Sequence, residues 1–385
     1  MVIPGLEKKW LEILQARKEQ QLFRRFGPVR DSSAIDFYSN DYLGLANSPD
    51  SRERLKSALE EPFALGASGS RLVSGQQAEL ELLEAECSHF FSSETGIFFP
   101  SGFMANLALF SCMAGRHDTI LYDVQSHVSI KEGIRLSQAR SYSFRHNDPE
   151  DLRKKLKNQD GQKFVAIEGI YSMSGHKANL EELAQVCREE DALLIVDEAH
   201  STGVTGSRGE GLSLDRNLKD YIWVRNYTFG KALGASGAFL ALSSVARDFL
   251  INFSYPLIYS TAAPPVQVKL CRIQLQQLQN SGPKIKALQN IIEFWCRGSD
   301  KKSSLISANP ESPVQFIRVP GNERALQLAH RFNELGFQIK AMLSPTVKAG
   351  EEGLRVSLHS FNTPEEIKRL DLALKEFKNI FDDRF

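Results

Sequence analysis

A lysine set among glycines is the residue of this sequence best suited to covalent chemistry. In Tyr227-Thr228-Phe229-Gly230-Lys231-Ala232-Leu233-Gly234 it follows a strand-like stretch, Tyr221 to Asn226, and Gly237 lies just beyond. Glycines so placed suit a turn that brings backbone close to a ligand. An amine held on such a turn and partly desolvated can shed its proton near neutral pH and attack an aldehyde, forming a Schiff base; a solvated turn is the plain alternative. One strand and one helix upstream, Leu193-Leu194-Ile195-Val196 runs unbroken into Asp197-Glu198-Ala199-His200-Ser201-Thr202-Gly203. That is the pattern of a strand covered on both faces, and in open parallel sheets ligands gather at the carboxyl ends of such strands. A carboxylate there can keep a pyridine nitrogen protonated, the condition under which pyridoxal phosphate (PLP) accepts electrons from a carbanion. As a structural alternative, Asp197 caps the following helix.

Other elements must bring further groups to that edge. Gly96 to Pro100 reads as a short strand, and Ser101-Gly102-Phe103-Met104-Ala105-Asn106 opens a helix. Free N–H groups, a glycine that permits close approach and the positive end of the helix dipole make this a phosphate site, with Ser101 as its N-cap. The strand Thr119 to Tyr122 leads to Asp123 and His127, and the strand 164–168 leads to Ser172. The Gly66 to Gly75 loop precedes a helix from Gln77 to Phe91 whose Leu80, Leu83 and Cys87 share a face. Later come a strand Ala238 to Leu242, the start of a long helix at Tyr259-Ser260-Thr261-Ala262, and strands Val314 to Val319 and Leu354 to Leu358. Thr363-Pro364-Glu365-Glu366 is a capping box with proline at the first helical position. Residues 5–25 carry Trp10, Leu11, Leu14 and Leu22 at helical spacing, an arm with one apolar stripe of the kind that docks on a neighbour.

With 385 residues, 42% of them hydrophobic and 24% charged, the chain can bury a large core and has an ordinary soluble composition. Lys and Arg number 47, as do Asp and Glu, so nothing points to nucleic acid or an anionic membrane as partner. Five cysteines without a CxxC pair read as reduced thiols of a cytoplasmic protein rather than a zinc site or a disulfide framework. The charged N-terminus lacks the apolar core of a signal peptide, and every apolar run is strand-sized, too short to span a bilayer.

Asp-Glu-Ala-His-Ser-Thr-Gly at 197–203 followed by Thr-Phe-Gly-Lys at 228–231 resembles the PLP-dependent α-oxoamine synthases, of aminotransferase fold type I. The likeness runs from Ser39-Asn40-Asp41-Tyr42-Leu43-Gly44-Leu45 to Leu354-Arg355-Val356. It implies an α/β fold, with a helical arm at 1–45, a large PLP-binding domain with a mostly parallel seven-stranded sheet at 46–274, and a smaller α/β domain at 275–385. It implies that Lys231 carries PLP and later takes the substrate's α-proton, that Asp197 faces the pyridine nitrogen, that His127 stacks on the ring and that His200 reaches the phenolic oxygen. Gly102, Phe103 and Thr228 would hold the phosphate, with Ser260 and Thr261 serving the other subunit of an isologous homodimer with shared active sites. Ser172 would meet cofactor or substrate, Asn40 and Thr346 the substrate, and the planar fork of Arg355 the substrate α-carboxylate. Arg24 would also meet a substrate carboxylate, with Phe23 as the alternative alignment.

The Gly66 to Gly75 loop is most similar to that of the family members that join L-alanine to a pimeloyl thioester, carried by coenzyme A or acyl carrier protein. Leu72 favours a long methylene chain; glycine with an acetyl donor is the alternative pair. The chain departs from the family at Leu80, where histidine is common, at Ser174 and His176, where acids are usual, and at Glu210, where arginine is frequent.

Overall fold

The computed structural model describes residues 4–26, 33–298, 306–307, 309 and 311–382. At its centre lies a sheet of seven strands: β1 (Thr95–Phe99), β2 (Thr119–Asp123), β3 (Arg140–Phe144), β4 (Lys163–Glu168), β5 (Ala192–Asp197), β6 (Val224–Thr228) and β7 (Ala238–Leu242). Their spatial order is β1-β7-β6-β5-β4-β2-β3. All neighbours run parallel except β7, which is antiparallel to both β1 and β6.

The apolar run in β5 is what two covered faces require. Ile195 packs into one core with Ile97, Phe99, Leu109 and Ile130, while Leu194 and Val196 enter another with Leu152, Leu183 and Val165. Side chains alternate between faces along a strand, so an uninterrupted apolar sequence fills both layers. Each such aliphatic side chain contributes about 1.5–3 kcal/mol when fully buried.

The strand before Lys231 lies two to three residues later than its sequence suggests. Lys219–Tyr221 is a 3-10 turn, and pairing begins at Val224 opposite Ile195. It runs on to Thr228 because β7 covers that end, with Thr228 opposite Ala238. The long helix likewise starts at Pro265, capped by Pro264 without a side-chain hydrogen bond, so neither Ser260 nor Thr261 is its cap.

A second, antiparallel sheet holds Ile306–Ser307, Val314–Arg318, Lys340–Met342 and Gly353–Ser357. The closing helix Pro364–Asp382 has the reciprocal cap its sequence announces: Glu366 N–H donates to Thr363 Oγ1 at 3.2 Å and Thr363 N–H to Glu366 Oε2 at 2.9 Å. Ile35–Asp36 pairs in parallel with Phe337–Gln338. The segment behind it buries Phe37, Tyr42 and Leu43 in one core with Phe337, Leu354 and Val356. Asn40 and Tyr42 are thereby carried to the strand that bears Arg355. The N-terminal helix covers Pro4–Glu19 and leaves Trp10, Leu11 and Leu14 exposed.

Among the described residues no helix is long and apolar enough to cross a membrane, and no cluster of three metal-ligating side chains occurs. All five cysteines are free thiols.

Candidate active site

Asp123, Glu168, Asp197 and Thr228 each end one of the parallel strands, so the acids and the hydroxyl gather along one edge of the sheet. Lys231 follows Thr228 by three residues, on a turn tied down by Phe229 N–H to the Gly237 carbonyl at 2.9 Å and Gly234 N–H to the Lys231 carbonyl at 2.7 Å. Gly234 sits at φ 63°, in the left-handed region where a side chain would be strained. The residue keeps partial exposure, but its amine lies deep, and burial pushes it down to about 8, against the opposing pull of Asp197 and Glu168. No hydrogen bond within the described residues occupies the amine, which leaves it available as a nucleophile.

Asp197 is held from two sides. Asn106 Nδ2 donates to its Oδ2 at 2.7 Å and Ala199 N–H to its Oδ1 at 2.9 Å; the next helix starts only at Leu212, so the bond to Ala199 steadies a turn and the expected helix cap does not form. Asn106 also donates to Ser129 Oγ at 3.0 Å, and Ser129 Oγ lies 2.7 Å from His127 Nδ1. His127 caps the helix Val128–Leu136 by accepting from Ser129 N–H, which fixes the ring's plane beside Asp197. Burial lowers the pKa of His127, with Asp197 opposing. His200 is held well below its ordinary value by burial and by the charges of Lys231 and Arg355, so a neutral imidazole stands there. Its Nδ1 is 2.7 Å from the Tyr42 hydroxyl.

Arg355 spreads its fork over four partners: Nε donates to the Ser172 carbonyl at 2.8 Å, Nη1 to Ser357 Oγ at 2.9 Å, and Nη2 to Asn40 Oδ1 at 2.8 Å and the Tyr42 hydroxyl at 3.4 Å. Arg355, Asn40 and Ser172, drawn from three distant stretches of sequence, therefore meet. Arg24 and Thr346 are paired as well, Nη2 donating to Oγ1 at 3.5 Å on the exposed side. Glu168 is a member that the sequence reading passed over. It sits opposite Asp197 in the sheet register, accepts from Ser172 N–H at 3.3 Å and has Oε1 buried without a hydrogen-bond partner. Burial and the neighbouring Asp197 push it up to about 8, because two carboxylates so close resist ionising together. The signal was present, since β4 is also an apolar run ending in an acid. Asn106, Ser129 and Tyr42 had no such signal; their places depend on long-range packing.

The helix Gly102–Cys112 begins with the expected cap, Met104 N–H donating to Ser101 Oγ at 3.2 Å. A Cβ on Gly102 would come within 2.6 Å of Thr228 Cγ2, so this helix start and the end of β6 form one tight cradle. Phe103 is half exposed beside it. Ser260 and Thr261 lie apart, on a segment that bridges to the Gly66 to Gly75 loop through Ser70 and Thr261. The donor set fits PLP: an unbonded amine for its aldehyde, a clamped carboxylate for its ring nitrogen, a neutral imidazole and a helix N-terminus for its phosphate.

Comparison with known proteins agrees. The family model for aminotransferase class I and II matches residues 32–372. The chain belongs to this family. Members most similar in sequence include the 8-amino-7-oxononanoate synthase of Marinobacter nauticus, 35% identical over 382 residues and 96% of each chain. That of Lysinibacillus sphaericus is 33% identical over 379 residues, 95% of this chain and 96% of the relative. Among solved structures, serine palmitoyltransferase from S. paucimobilis with bound PLP and myriocin superposes with a TM-score of 0.88 at 26% identity, covering 97% of both chains. The 8-amino-7-oxononanoate synthase of Francisella tularensis gives 0.77 at 32% identity, covering 91% of this chain and 100% of the other. This aminotransferase-family member is accordingly a PLP-dependent acyltransferase of fold type I, acting on an acyl thioester and an amino acid.

Proposed function

We propose that the chain condenses L-alanine with a pimeloyl thioester, carried by coenzyme A or acyl carrier protein, to give 8-amino-7-oxononanoate, CO2 and the free thiol, a step towards biotin. The reading of the substrates rests on the names of relatives such as those of Marinobacter nauticus and Lysinibacillus sphaericus, and on the loop from Gly66 to Gly75. The observation that carries the chemistry is the unbonded, burial-depressed Lys231 amine within the field of Asp197, with the Arg355 fork nearby.

When bound, PLP supplies an aldehyde that bonds covalently to amines and a pyridine ring that accepts electron density. Lys231 would hold it through its amine, and as a free amine would take the α-proton of alanine. An amine poised near 8 is suited to that exchange around neutral pH. Asp197 would keep a proton on the ring nitrogen, its carboxylate held in place by Asn106, Asn226 and the Ala199 N–H. His127 would face the ring, and neutral His200, steadied by Tyr42, would serve the phenolic oxygen. Gly102, Phe103 and Thr228 would hold the phosphate. Arg355 takes the α-carboxylate with Asn40 and Ser172 setting its orientation, while Arg24 and Thr346 close the outer side. Holding both substrates in register removes up to about 7–11 kcal/mol of barrier.

The assembly is a homodimer in this reading. Leu65, Leu72, Val73, Tyr255 and Tyr259 are strongly exposed on the two segments joined by the Ser70 to Thr261 bridge, an apolar area suited to a second copy. Ser260 and Thr261 then reach the phosphate of the partner's site, and Leu72 meets the acyl chain.

A panel pairing L-alanine, L-serine and glycine with pimeloyl, palmitoyl and acetyl thioesters tests the assignment. The expected result is turnover of alanine with the pimeloyl donor alone; silence with that pair refutes it. The close superposition on serine palmitoyltransferase makes serine with a long acyl donor the second reading.

A further inference from the structure

Behind the turn that carries Ser172 lies a chain of buried polar groups the chemistry above does not use. Asp123 is fully buried and accepts from Gln125 N–H at 2.8 Å, Asn147 N–H at 2.9 Å and the Tyr171 hydroxyl at 2.9 Å. His146 Nδ1 lies 3.0 and 3.1 Å from its two oxygens and donates to them. On the far side, His146 Nε2 is 2.9 Å from His176 Nδ1, and the two rings face each other with centroids 5.1 Å apart. His176 closes the turn, since its carbonyl accepts from Tyr171 N–H at 2.9 Å, and Gly175 N–H donates to the Tyr171 carbonyl at 2.9 Å. Within that turn stands Ser172, whose carbonyl holds Arg355 Nε.

We propose that His176, anchored through His146 to Asp123, is a positioning residue that sets the Tyr171–Lys177 turn against Arg355, and that a second proton on the facing imidazoles loosens it. The consequence for substrate rests on the reading of Arg355 as the carboxylate fork; the loosening of the turn does not.

Proton bookkeeping makes the device specific. With Nδ1–H of His146 given to Asp123, its Nε2 is an acceptor when neutral, and His176 Nδ1–H must donate. One added proton reverses the bond without breaking it, His146 donating to the other tautomer of His176. Two added protons leave N–H facing N–H, and the bond is lost. The groups facing the pair are accounted for. Asp123 is itself held below the usual carboxylate range, the His146 and backbone bonds outweighing burial. Tyr171 is held well above its ordinary value by burial and stays neutral. Lys131 lies near Asp123 and Glu168, and Lys177 is paired with Glu311. Burial and the charge of His146 lower His176 from its ordinary 6.5, so the closed turn binds this proton more weakly than an open one. The sign follows: closure is complete above about 6.5 and is lost progressively as pH falls below it.

Hydrogen exchange of the peptide covering residues 169–178 in the PLP-loaded enzyme without substrate, corrected for intrinsic rates, tests the device directly. Wild type is expected to lose protection between pH 7.5 and 5.5. His176→Asp, whose carboxylate accepts from His146 Nε2–H once His146 takes up a proton, should keep or gain protection as the pH falls over that range, and His176→Ala should be unprotected throughout. Under steady state, the wild-type KM for the amino acid should rise by up to about tenfold per pH unit below 6.5, relative to His176→Asp. Superimposable exchange profiles for wild type and His176→Asp, or a flat wild-type profile, overturn the proposal. If exchange behaves as expected but the two KM profiles coincide, the turn is proton-sensitive and the carboxylate assignment of Arg355 is what fails.

Discussion

Arg355→Lys keeps a positive charge in place and removes only the shape of the fork. Arg355 is 8% exposed and uses Nε, Nη1 and Nη2 on four separate partners, so its plane is fixed before substrate arrives. A lysine ammonium is a point donor and cannot span both Ser172 and Asn40 while still presenting an N–H group to a carboxylate. One lost charge-assisted hydrogen bond is worth about 1.5–3 kcal/mol. At 1.4 kcal/mol per factor of ten, KM for the amino acid should rise about 10- to 150-fold. KM for the thioester should stay within a few-fold, because the fork does not face the acyl carrier in this arrangement. Steady-state titration of each substrate at saturating concentrations of the other measures the split, with the thermal midpoint followed in parallel, since the internal bonds of Arg355 also steady the fold. An amino-acid KM within twofold of wild type, in a variant that remains folded, would refute the assignment of the carboxylate to Arg355.

Further outcomes follow from the same geometry. Borohydride reduction of the PLP-loaded protein should fix the cofactor on Lys231 alone, as read by peptide mapping, and Lys231→Ala should carry no label. Because burial disfavours the ammonium, uptake of PLP by the apo chain should quicken with pH and level off near 8; a pH-independent rate would contradict that cause. Glu168→Gln mimics the protonated acid that prevails below about 8, so its activity at pH 7 should stay within a few-fold of wild type while any change above 8 disappears; a collapse at pH 7 would mean the ionised form is needed. Thr363→Ala removes one half of the reciprocal cap of the last helix and should lower stability by about 1 kcal/mol, seen as a reduced urea midpoint without a change of slope.

The sites that could be read from sequence share one feature: their signal is local. Lys231 among glycines, Asp197 at the end of an apolar run, Ser101 before a glycine-led helix and the Thr363 to Glu366 box are each set by neighbouring residues, through backbone sterics and the period of side chains. Residues such as Asn106, Ser129 and Tyr42 gave no hint. A buried polar residue on an otherwise apolar helix or loop acquires its role from groups 20 to 160 positions away, as the bonds of Asn106 to Asp197 and Tyr42 to His200 illustrate. His176, which in the sequence marks only a departure from the family's usual acid, proves to face His146 from across the sheet edge.

The order of residues alone determined the chemistry on offer, an amine, an acid, two imidazoles and a capped, glycine-led helix start, because side-chain type and local turn geometry are short-range properties. It also determined which strands lie buried, because an unbroken apolar run has no other soluble solution. Tertiary structure alone decided which acid holds its proton beside Asp197, how the guanidinium of Arg355 is aimed and what stands behind Ser172. Those depend on desolvation and on charges brought within a few ångströms by packing, and neither quantity exists until the chain has folded.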